Sequence, residues 1–330
     1  VLNHEEWQRQ NNNFTPIISK EISTSNGHVL QLGVDDDVIY EIPKGKERTT
    51  EKLRNEFIRI CSEIRKKDGL PQVNHPFDVS FSTRYNSEFW DMVEIFESME
   101  IWNGATPFAA GTINAKAFKK WLSLLEEGKR LTATTGSDTH NIYGDDYFGM
   151  TEWLDWLMDI VMKHPEIYPV HMNENVAYLT WLYNKVWPRL LSWVEQSNTP
   201  STIHNYVYTN GKNQPQEILQ AIREGHSFIS NGPLVTAEVN GVSYGEKAVL
   251  KDRTGTLSVH VFSKKPINHL WMYTGADKKV ELCAKADAAE GGFMYDIAAD
   301  ELDFGDAAWV LFVADGGENN LAISNPILFA

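Results

Sequence analysis

The sequence predicts an α/β architecture in its first part and an antiparallel β-sandwich in its last part. Up to residue 144, segments typical of strands alternate with segments of helical periodicity, a pattern that favours a parallel α/β layout. Residues 145–200 interrupt this alternation with two long helical segments. From Ser227 onward, short strands recur between turn signals such as Asn240-Gly241, which is typical of antiparallel sheets.

The first part contains predicted strands that alternate with two predicted helices. Thr49 or Thr50 caps a helix that ends near Lys67, and its apolar residues recur at helical spacing. A second amphipathic helix runs from about Ala115 to Glu127. The strand after the first helix is expected to complete a β-α-β unit. The predicted strands cover residues 16–24, 28–33, 70–74, 99–102 and 130–134.

A helical insertion follows, and the chain then returns to the first part. Predicted helices at 151–163 and 174–195 contain five tryptophans, and Pro188 kinks or splits the second helix. The insertion is a lid, a substrate wall or a dimer face, or else an ordinary helical subdomain. A strand at 203–209 and a helix at 214–224 mark the return. The predicted domains are 1–144 (barrel), 145–200 (insertion), 201–232 (barrel completion and linker) and 233–330 (sandwich).

Side chains suited to divalent metals lie at the ends of several predicted strands. Asp138 and His140 are two residues apart, so in an extended chain they point to the same side. We expect these side chains to lie close together in the folded protein, because barrel active sites collect at the carboxyl ends of strands. Four imidazoles and two carboxylates suit two or more Zn, Mn or Fe ions. The alternative for any one of these histidines is a structural role as a hydrogen-bonded side chain. The upstream ligand-type residues are His4, Glu21, His28 and His75.

Several short motifs resemble those of a known family of metallohydrolases. Glu21-Ile-Ser, Gly27-His28, Asn74-His75-Pro76, Glu100-Ile-Trp-Asn-Gly104 and Gly136-Ser-Asp-Thr-His140 resemble successive motifs of the PHP (polymerase and histidinol phosphatase) superfamily. The segments 221–233 and 322–327 resemble its CehA/McbA branch, which consists of two-domain proteins often labelled predicted phosphoesterases.

The resemblance implies a distorted (β/α)7 TIM-like barrel with two or three divalent ions, followed by a small β domain. Glu21 or Asp138 would be the bridging carboxylate and the catalytic residue, because one carboxylate can span two ions. Glu100 and Asn103 would lie beside the site, and His204 is a further candidate for substrate contact. The implied metal ligands are His4, Glu21, His28, His75, Asp138 and His140.

The opening His-x-His motif of the family is absent from the chain. The sequence begins at what resembles the second strand of the family, where Asn3 replaces an acid. We expect that the first strand was removed or is supplied separately, because a barrel without it would expose two unpaired edges. The other interpretation is that the protein lacks those ligands.

Composition restricts the classes of partner. The chain has 330 residues and a formal charge of −15, which weighs against general nucleic-acid binding. A small anionic ester stays compatible, because bound metal ions dominate the charge of such a site. No apolar run has the length of a membrane span. A homo-oligomer is one option for the insertion, and the compartment, cytoplasmic or periplasmic/secreted, is left open.

Three functions fit this pattern. The first is a phosphoesterase that hydrolyses a small phosphate ester through a metal-bound hydroxide, with Lys20, Arg84 and Lys116 as candidates for phosphate binding. The second directs the same metal chemistry at a carboxylic or carbamate ester. The third is a non-catalytic binding scaffold that lacks the first ligand motif. Metal content separates the third function from the others, and paired phosphate and acetate esters separate the first two.

Overall fold

The computed structural model describes residues 15–24, 26–40, 49–78, 84–104, 108–138, 203–282, 285–317 and 320–330. Its described helices are α1 (Thr50–Lys66), α2 (Ile113–Glu126) and α3 (Pro215–Arg223), with a 3₁₀ segment at Ser87–Ile95. The first strands are β1 (Ser19–Thr24), β2 (Gly27–Leu32), β3 (Leu70–Asn74), β4 (Ser98–Asn103), β5 (Thr132–Gly136), β6 (His204–Val207), β7 (Ser227–Ser230) and β8 (Leu234–Val239). The later strands are β9 (Lys247–Ala248), β10 (Thr254–Ser263), β11 (His269–Gly275), β12 (Lys278–Glu281), β13 (Ala286–Ala289), β14 (Gly292–Asp303), β15 (Trp309–Asp315), β16 (Leu321–Ser324) and β17 (Ile327–Phe329). All of these elements belong to one compact unit, whereas Gly104, Ser137 and Asp138 belong to a second unit.

The N-terminal strands form one mixed sheet in the order β1-β2-β3-β4-β5. The pairs β1–β2 and β2–β3 are antiparallel, and only β3–β4 and β4–β5 are parallel. The prediction of a parallel layout, with α1 inside a β-α-β unit, is therefore wrong for β2 and β3. The short β1–β2 hairpin turns β2 against the direction of β1, and β3 then pairs beside β2 in the opposite sense. The described strands do not show the predicted (β/α)7 barrel.

The two faces of this sheet differ in chemistry. Ile22, Val29, Val73 and Met99 lie on one face and belong to a core that includes residues of α1 and α2. The other face carries leucines near one end, such as Leu70, and a largely buried polar region beyond them. Strand register places on it the side chains of Gln72, Asn74, Ser98, Glu100 and Thr134. Buried polar side chains need hydrogen-bond partners inside the protein. A sheet face that carries several of them is therefore a candidate location for a functional site.

Local signals for the helices are confirmed. Thr49 caps α1, because its side chain accepts a hydrogen bond from the Lys52 N–H at 3.3 Å. The helix α2 begins two residues before the predicted start, where Thr112 caps it. Trp121 of α2 is fully buried, and its Nε1–H donates to the Leu131 carbonyl at 2.8 Å. This bond fixes α2 against the chain that enters β5.

The C-terminal region is rich in strands and has two sheets. One sheet has the order β13-β14-β10-β8, and the other has the order β12-β11-β15-β16-β7-β6, with β17 joined to β15 and β9. Residues of both sheets, among them Val259 and Phe312, share a second core. The strands β6 and β7, from the segment predicted to complete the barrel, pair with each other and, through β7, with β16.

Strand β15 contributes to both cores. Leu311 and Val313 belong to the core of the N-terminal sheet, whereas Val310 and Phe312 belong to the second core. This alternation follows from the two-residue period of a strand. The strand therefore forms part of a layer between the two cores.

Two asparagine side chains hold β5, which is the last strand of the N-terminal sheet. Asn325 accepts from the Ala133 N–H at 2.7 Å and donates to the Ala133 carbonyl at 3.1 Å. Asn205 makes the same pair of bonds with Thr135, at 3.0 and 2.8 Å. The side-chain amides thus take the hydrogen-bonding positions that another strand would fill.

The predicted helical insertion, residues 145–200 with its five tryptophans, lies outside the described residues. Within the described part of the chain, no helix combines the length and the apolar character that crossing a membrane requires.

Candidate metal centre

Three predicted ligands converge on the polar face of the N-terminal sheet. Glu21, His28 and His75 each offer one ligand atom, and these atoms lie within 4.8 Å of one another. Glu21 Oε1 contacts His28 Nδ1, and Glu21 Oε2 lies 3.6 Å from His75 Nε2. The two imidazole rings are 4.9 Å apart between centroids, at 75°. A group of one carboxylate and two imidazoles suits a divalent metal ion.

Strand register explains the convergence of Glu21 and His28. In the β1–β2 hairpin, His28 lies opposite Ser23, and Glu21 is two residues from Ser23 on the same face. His28 also lies opposite Asn74 at the end of β3. As the sequence predicts, Glu21 lies within a strand, β1, and His28 lies at the start of the next, β2. The antiparallel direction of β2 brings its first residues beside the last residues of β3.

A left-handed backbone turns His75 toward the site. Consecutive strand residues point to opposite faces, so His75 would normally point away from the face that carries Asn74. His75 has φ of 24°, which is unusual for any residue other than glycine and more so before Pro76. Its N–H donates to Glu100 Oε2 at 2.7 Å, which stabilises this conformation. Such backbone strain is concentrated at functional sites.

A chain of buried amides orients Glu21. Asn74 Nδ2 donates to Glu21 Oε2 at 2.8 Å, and Gln72 Nε2 donates to Asn74 Oδ1 at 2.8 Å. Gln72 Oε1 accepts from Ser98 at 3.0 Å and from Thr134 at 2.8 Å. The ionised Glu21 carboxylate can only accept, so the Asn74 NH₂ group must face it. Asn74 Oδ1 then accepts from the Gln72 NH₂ group, which leaves Gln72 Oε1 as the acceptor for the two hydroxyls.

The charge and exposure of the cluster also suit a metal ion. Burial would raise the pKa of Glu21, but hydrogen bonds from His28, His75 and Asn74 hold this pKa below its usual value. Glu21 is therefore ionised at neutral pH and available as a ligand. Side-chain exposure falls from 29% at Glu21 to 13% at His28 and 5% at His75, so the cluster opens to solvent on the carboxylate side.

The spacing of the cluster fits metal coordination. Zinc–nitrogen bonds are about 2.0–2.1 Å long, so two ligand atoms on one ion are at most about 4 Å apart. Small side-chain rotations would close the observed spread of 4.8 Å. Asp78 Oδ2 lies 4.0 Å from His75 Nδ1, a nitrogen that does not face Glu21. A carboxylate beside the second nitrogen of a ligating histidine commonly orients the ring.

Glu100 is a buried carboxylate beside this cluster, and a glycine leaves room for it. Its Oε2 accepts from the His75 N–H, and a methyl group at Gly136 would lie 2.9 Å from its Oε1. The sequence motifs predict a place beside the site for Glu100 but no role for Gln72, Asn74 or Gly136. The motif Asn74-His75-Pro76 contained one of these residues, and the period of two along β3 was the signal for Gln72.

The other predicted site residues have different positions. His4 and His140 lie outside the described residues. Asp138 belongs to the second unit, where its φ is 52°, and its role as a ligand stays a prediction. Asn103 is buried at the end of β4, and the Asn114 side chain bonds its N–H and carbonyl at 2.9 and 3.0 Å. His204 is exposed on β6, with its ring 6.0 Å from that of Tyr206.

The candidate phosphate-binding cations are all on exposed residues. Lys20 precedes Glu21 and bonds Asp37 at 2.5 Å. Lys116 lies on the exposed side of α2, and Arg84 is exposed before the 3₁₀ segment.

Comparisons of the chain with protein-family models, with curated proteins and with solved structures found no match. The resemblance to the PHP superfamily therefore stays a prediction from the motifs.

Proposed function

We propose that this protein is a metal-dependent hydrolase in which Glu21, His28 and His75 hold a divalent cation. The observation that carries the proposal is the convergence of two imidazole nitrogens and a carboxylate within 4.8 Å. A bound cation would supply Lewis acidity to an ester oxygen. The favoured substrate is a small phosphate ester, which is what the motif resemblance implies.

The residues of the chain have distinct roles in this proposal. Glu21 would be both ligand and catalytic residue, because its two oxygens face different imidazoles and a carboxylate placed in this way could serve more than one cation. Asn74 fixes the carboxylate through its NH₂ group, and Glu100 fixes His75 through the backbone N–H. By resemblance, His4, Asp138 and His140 complete a centre of two or three Zn, Mn or Fe ions.

A carboxylic or carbamate ester is the second candidate substrate. The observation that favours it is the position of Lys20, which would be a phosphate anchor on sequence grounds. Lys20 is one residue from Glu21, so it points to the opposite face of β1, and it is engaged by Asp37 at 2.5 Å. A neutral ester needs no such anchor.

The test measures metal content and turnover together. The chain, loaded with Mn or Zn, is assayed with p-nitrophenyl phosphate and p-nitrophenyl acetate, and bound metal is measured by elemental analysis. We expect His28→Gln to lower metal content and to reduce turnover about 100-fold or more, since even partners of metal ligands contribute about 10–100-fold. The ratio of the two ester rates decides between the substrate classes.

His269→Gln is the matched control. His269 Nδ1 bonds Glu281 at 2.7 Å, so it is a second histidine–carboxylate pair, on exposed strands of the C-terminal region. This variant should keep wild-type metal content and turnover. Full metal content and turnover in His28→Gln would contradict the proposal. Little bound metal in the wild type, with no turnover of either ester, would favour the binding scaffold.

A further inference from the structure

A cavity lies beside the start of β5, whereas Gly136 and Glu100 mark the other end of that strand. Its volume is about 330 Å³. This volume lies in the range of small-molecule pockets, about 300–1,000 Å³. Leu125, Leu131, Pro326 and Leu328 provide apolar walls.

Two sequence motifs that the metal centre does not use meet at this cavity. Gly225 and His226 belong to the segment 221–233, and Asn325 and Pro326 belong to the segment 322–327. Asn325 is fully buried and donates to Ser227 Oγ at 2.9 Å and to the Ser227 carbonyl at 3.1 Å, which ties the two segments together. The cavity is therefore built by residues that are distant in sequence and fixed by buried hydrogen bonds.

Close backbone contact between two glycines shapes the wall. Gly225 and Gly245 both have φ of +80°, and a methyl group at Gly225 would lie 3.3 Å from the Gly245 Cα. A methyl group at Gly245 would lie 2.0 Å from the Glu224 carbonyl oxygen and 2.8 Å from His226 Cδ2. The absence of a side chain at Gly245 thus leaves the space in which the His226 ring lies.

The charged groups at the cavity leave an excess of positive charge. Arg65 and Arg223 share one carboxylate, because each Nε lies 2.7 Å from a different oxygen of Glu97. Arg65 and Glu97 lie outside the lining of this cavity, and the trio keeps one positive charge, which Glu224 of the lining offsets. Arg130 also lines the cavity, and within the described part of the chain it has no carboxylate partner. A local cationic group is notable in a chain with a formal charge of −15.

We infer that this cavity binds a small organic monoanion. Its apolar body would contact Leu131, Pro326 and Leu328, and its anionic group would pair with Arg130. A guanidinium presents a planar pair of donors that matches a carboxylate. This site is separate from the metal centre and does not depend on the proposed hydrolase function.

The test uses benzoate as the probe and benzamide as its neutral counterpart. Isothermal titration calorimetry is carried out on the full chain after chelation with EDTA. We expect benzoate to bind about tenfold or more tightly than benzamide, because hydrogen bonds to charged groups exceed those to neutral groups by that order. Arg130→Ala should lose this preference, and Arg130→Lys should keep part of it.

Two further variants separate the sites. Arg253→Ala removes another exposed arginine, which pairs with Asp306 at 2.5 Å, and should leave benzoate affinity unchanged. His28→Gln alters the metal centre and should also leave it unchanged. Absence of benzoate binding, or equal affinity of the wild type and Arg130→Ala, would overturn the inference. Loss of benzoate binding in His28→Gln would assign the anion to the metal centre instead.

Discussion

The oxygen and the NH₂ group of the Asn74 side chain have different partners, and this fixes the orientation of the Glu21 carboxylate. Asn74 Oδ1 accepts from Gln72 and its NH₂ group donates to Glu21. The Glu21 carboxylate can only accept, so it fixes the Asn74 amide and, through Asn74, the Gln72 amide, whose Oε1 is the common acceptor of the Ser98 and Thr134 hydroxyls. Four buried polar residues on three strands thus determine where one carboxylate oxygen lies. Such networks are costly when only partly satisfied, so they specify one arrangement.

The space at Gly136 gives a prediction for a single methyl group. Gly136→Ala would place its Cβ 2.9 Å from Glu100 Oε1, so Glu100 must shift and its bond to the His75 N–H must weaken. We expect metal affinity to fall about tenfold, in line with other residues that orient ligands. Metal titration of the chelated protein measures this.

Gly275→Ala is a matched control for that substitution. A methyl group at Gly275 would lie 3.0 Å from Glu126 Oε1, so it also crowds a glutamate oxygen, but at α2 and β11. This control should keep wild-type metal affinity. If both variants lose affinity equally, a global effect of crowding explains the result and the role of Glu100 is refuted.

Single residues differ in how far the sequence predicts their roles. Glu21, His28 and His75 are predictable, because their types are rare in apolar strands and metals prefer such ligands. Gln72 and Asn74 are ordinary amides, and their importance depends on hydroxyls that reach them from other strands. The left-handed φ of His75 has no local signal either, since Pro76 favours an extended residue before it.

Among the elements, β5 depends on side chains that lie far away in sequence. Asn325 makes two bonds to Ala133 and two to Ser227, all of them buried. Asn325→Leu keeps the approximate size but leaves the buried N–H and carbonyl of Ala133 without these partners, whereas the Ser227 carbonyl still accepts from the residue 325 backbone N–H. We expect the free energy of unfolding to fall by about 3 kcal/mol or more, because each unsatisfied buried group costs about 1–3 kcal/mol.

Urea denaturation measures this loss, and Asn213→Leu is its control. Asn213 is exposed and bonds Thr209 at 3.2 Å, so its replacement should change stability by no more than about 0.5 kcal/mol. An equal loss in both variants would show that the amide of Asn325 does not stabilise β5.

Elements with local signals are predictable, but their pairing is not. The strand Leu70–Asn74 has the predicted limits, because an apolar run bounded by turn residues marks it in the sequence. The antiparallel β2–β3 pair was missed, because a helical connection suggests a parallel crossover. Direction in a sheet depends on which neighbours a strand meets, and these are separated from it by long stretches of sequence.

At the scale of the whole unit, β15 couples the two cores. Because Leu311 and Phe312 face different cores from adjacent positions, neither core can lose β15 alone. We expect Leu311→Ala and Phe312→Ala each to lower global stability by about 3 kcal/mol or more. Both variants should reduce hydrogen-exchange protection in β3 and β10 by the same factor, as mass spectrometry would measure.

Unequal responses would contradict this coupling. If Leu311→Ala affects β3 alone and Phe312→Ala affects β10 alone, the two cores unfold independently. His260→Gln, on the exposed side of β10, is the control and should change protection in neither strand.

The amides of Asn205 and Asn325 have a further consequence for the protein at high concentration. A bare terminal strand offers a row of donors and acceptors that can template intermolecular pairing and aggregation. At Ala133 and Thr135 these groups are already taken by side chains of the same molecule. A strand from another copy of the protein therefore finds no free donor or acceptor at these two residues. This protects β5 from intermolecular pairing without a charged side chain or a proline.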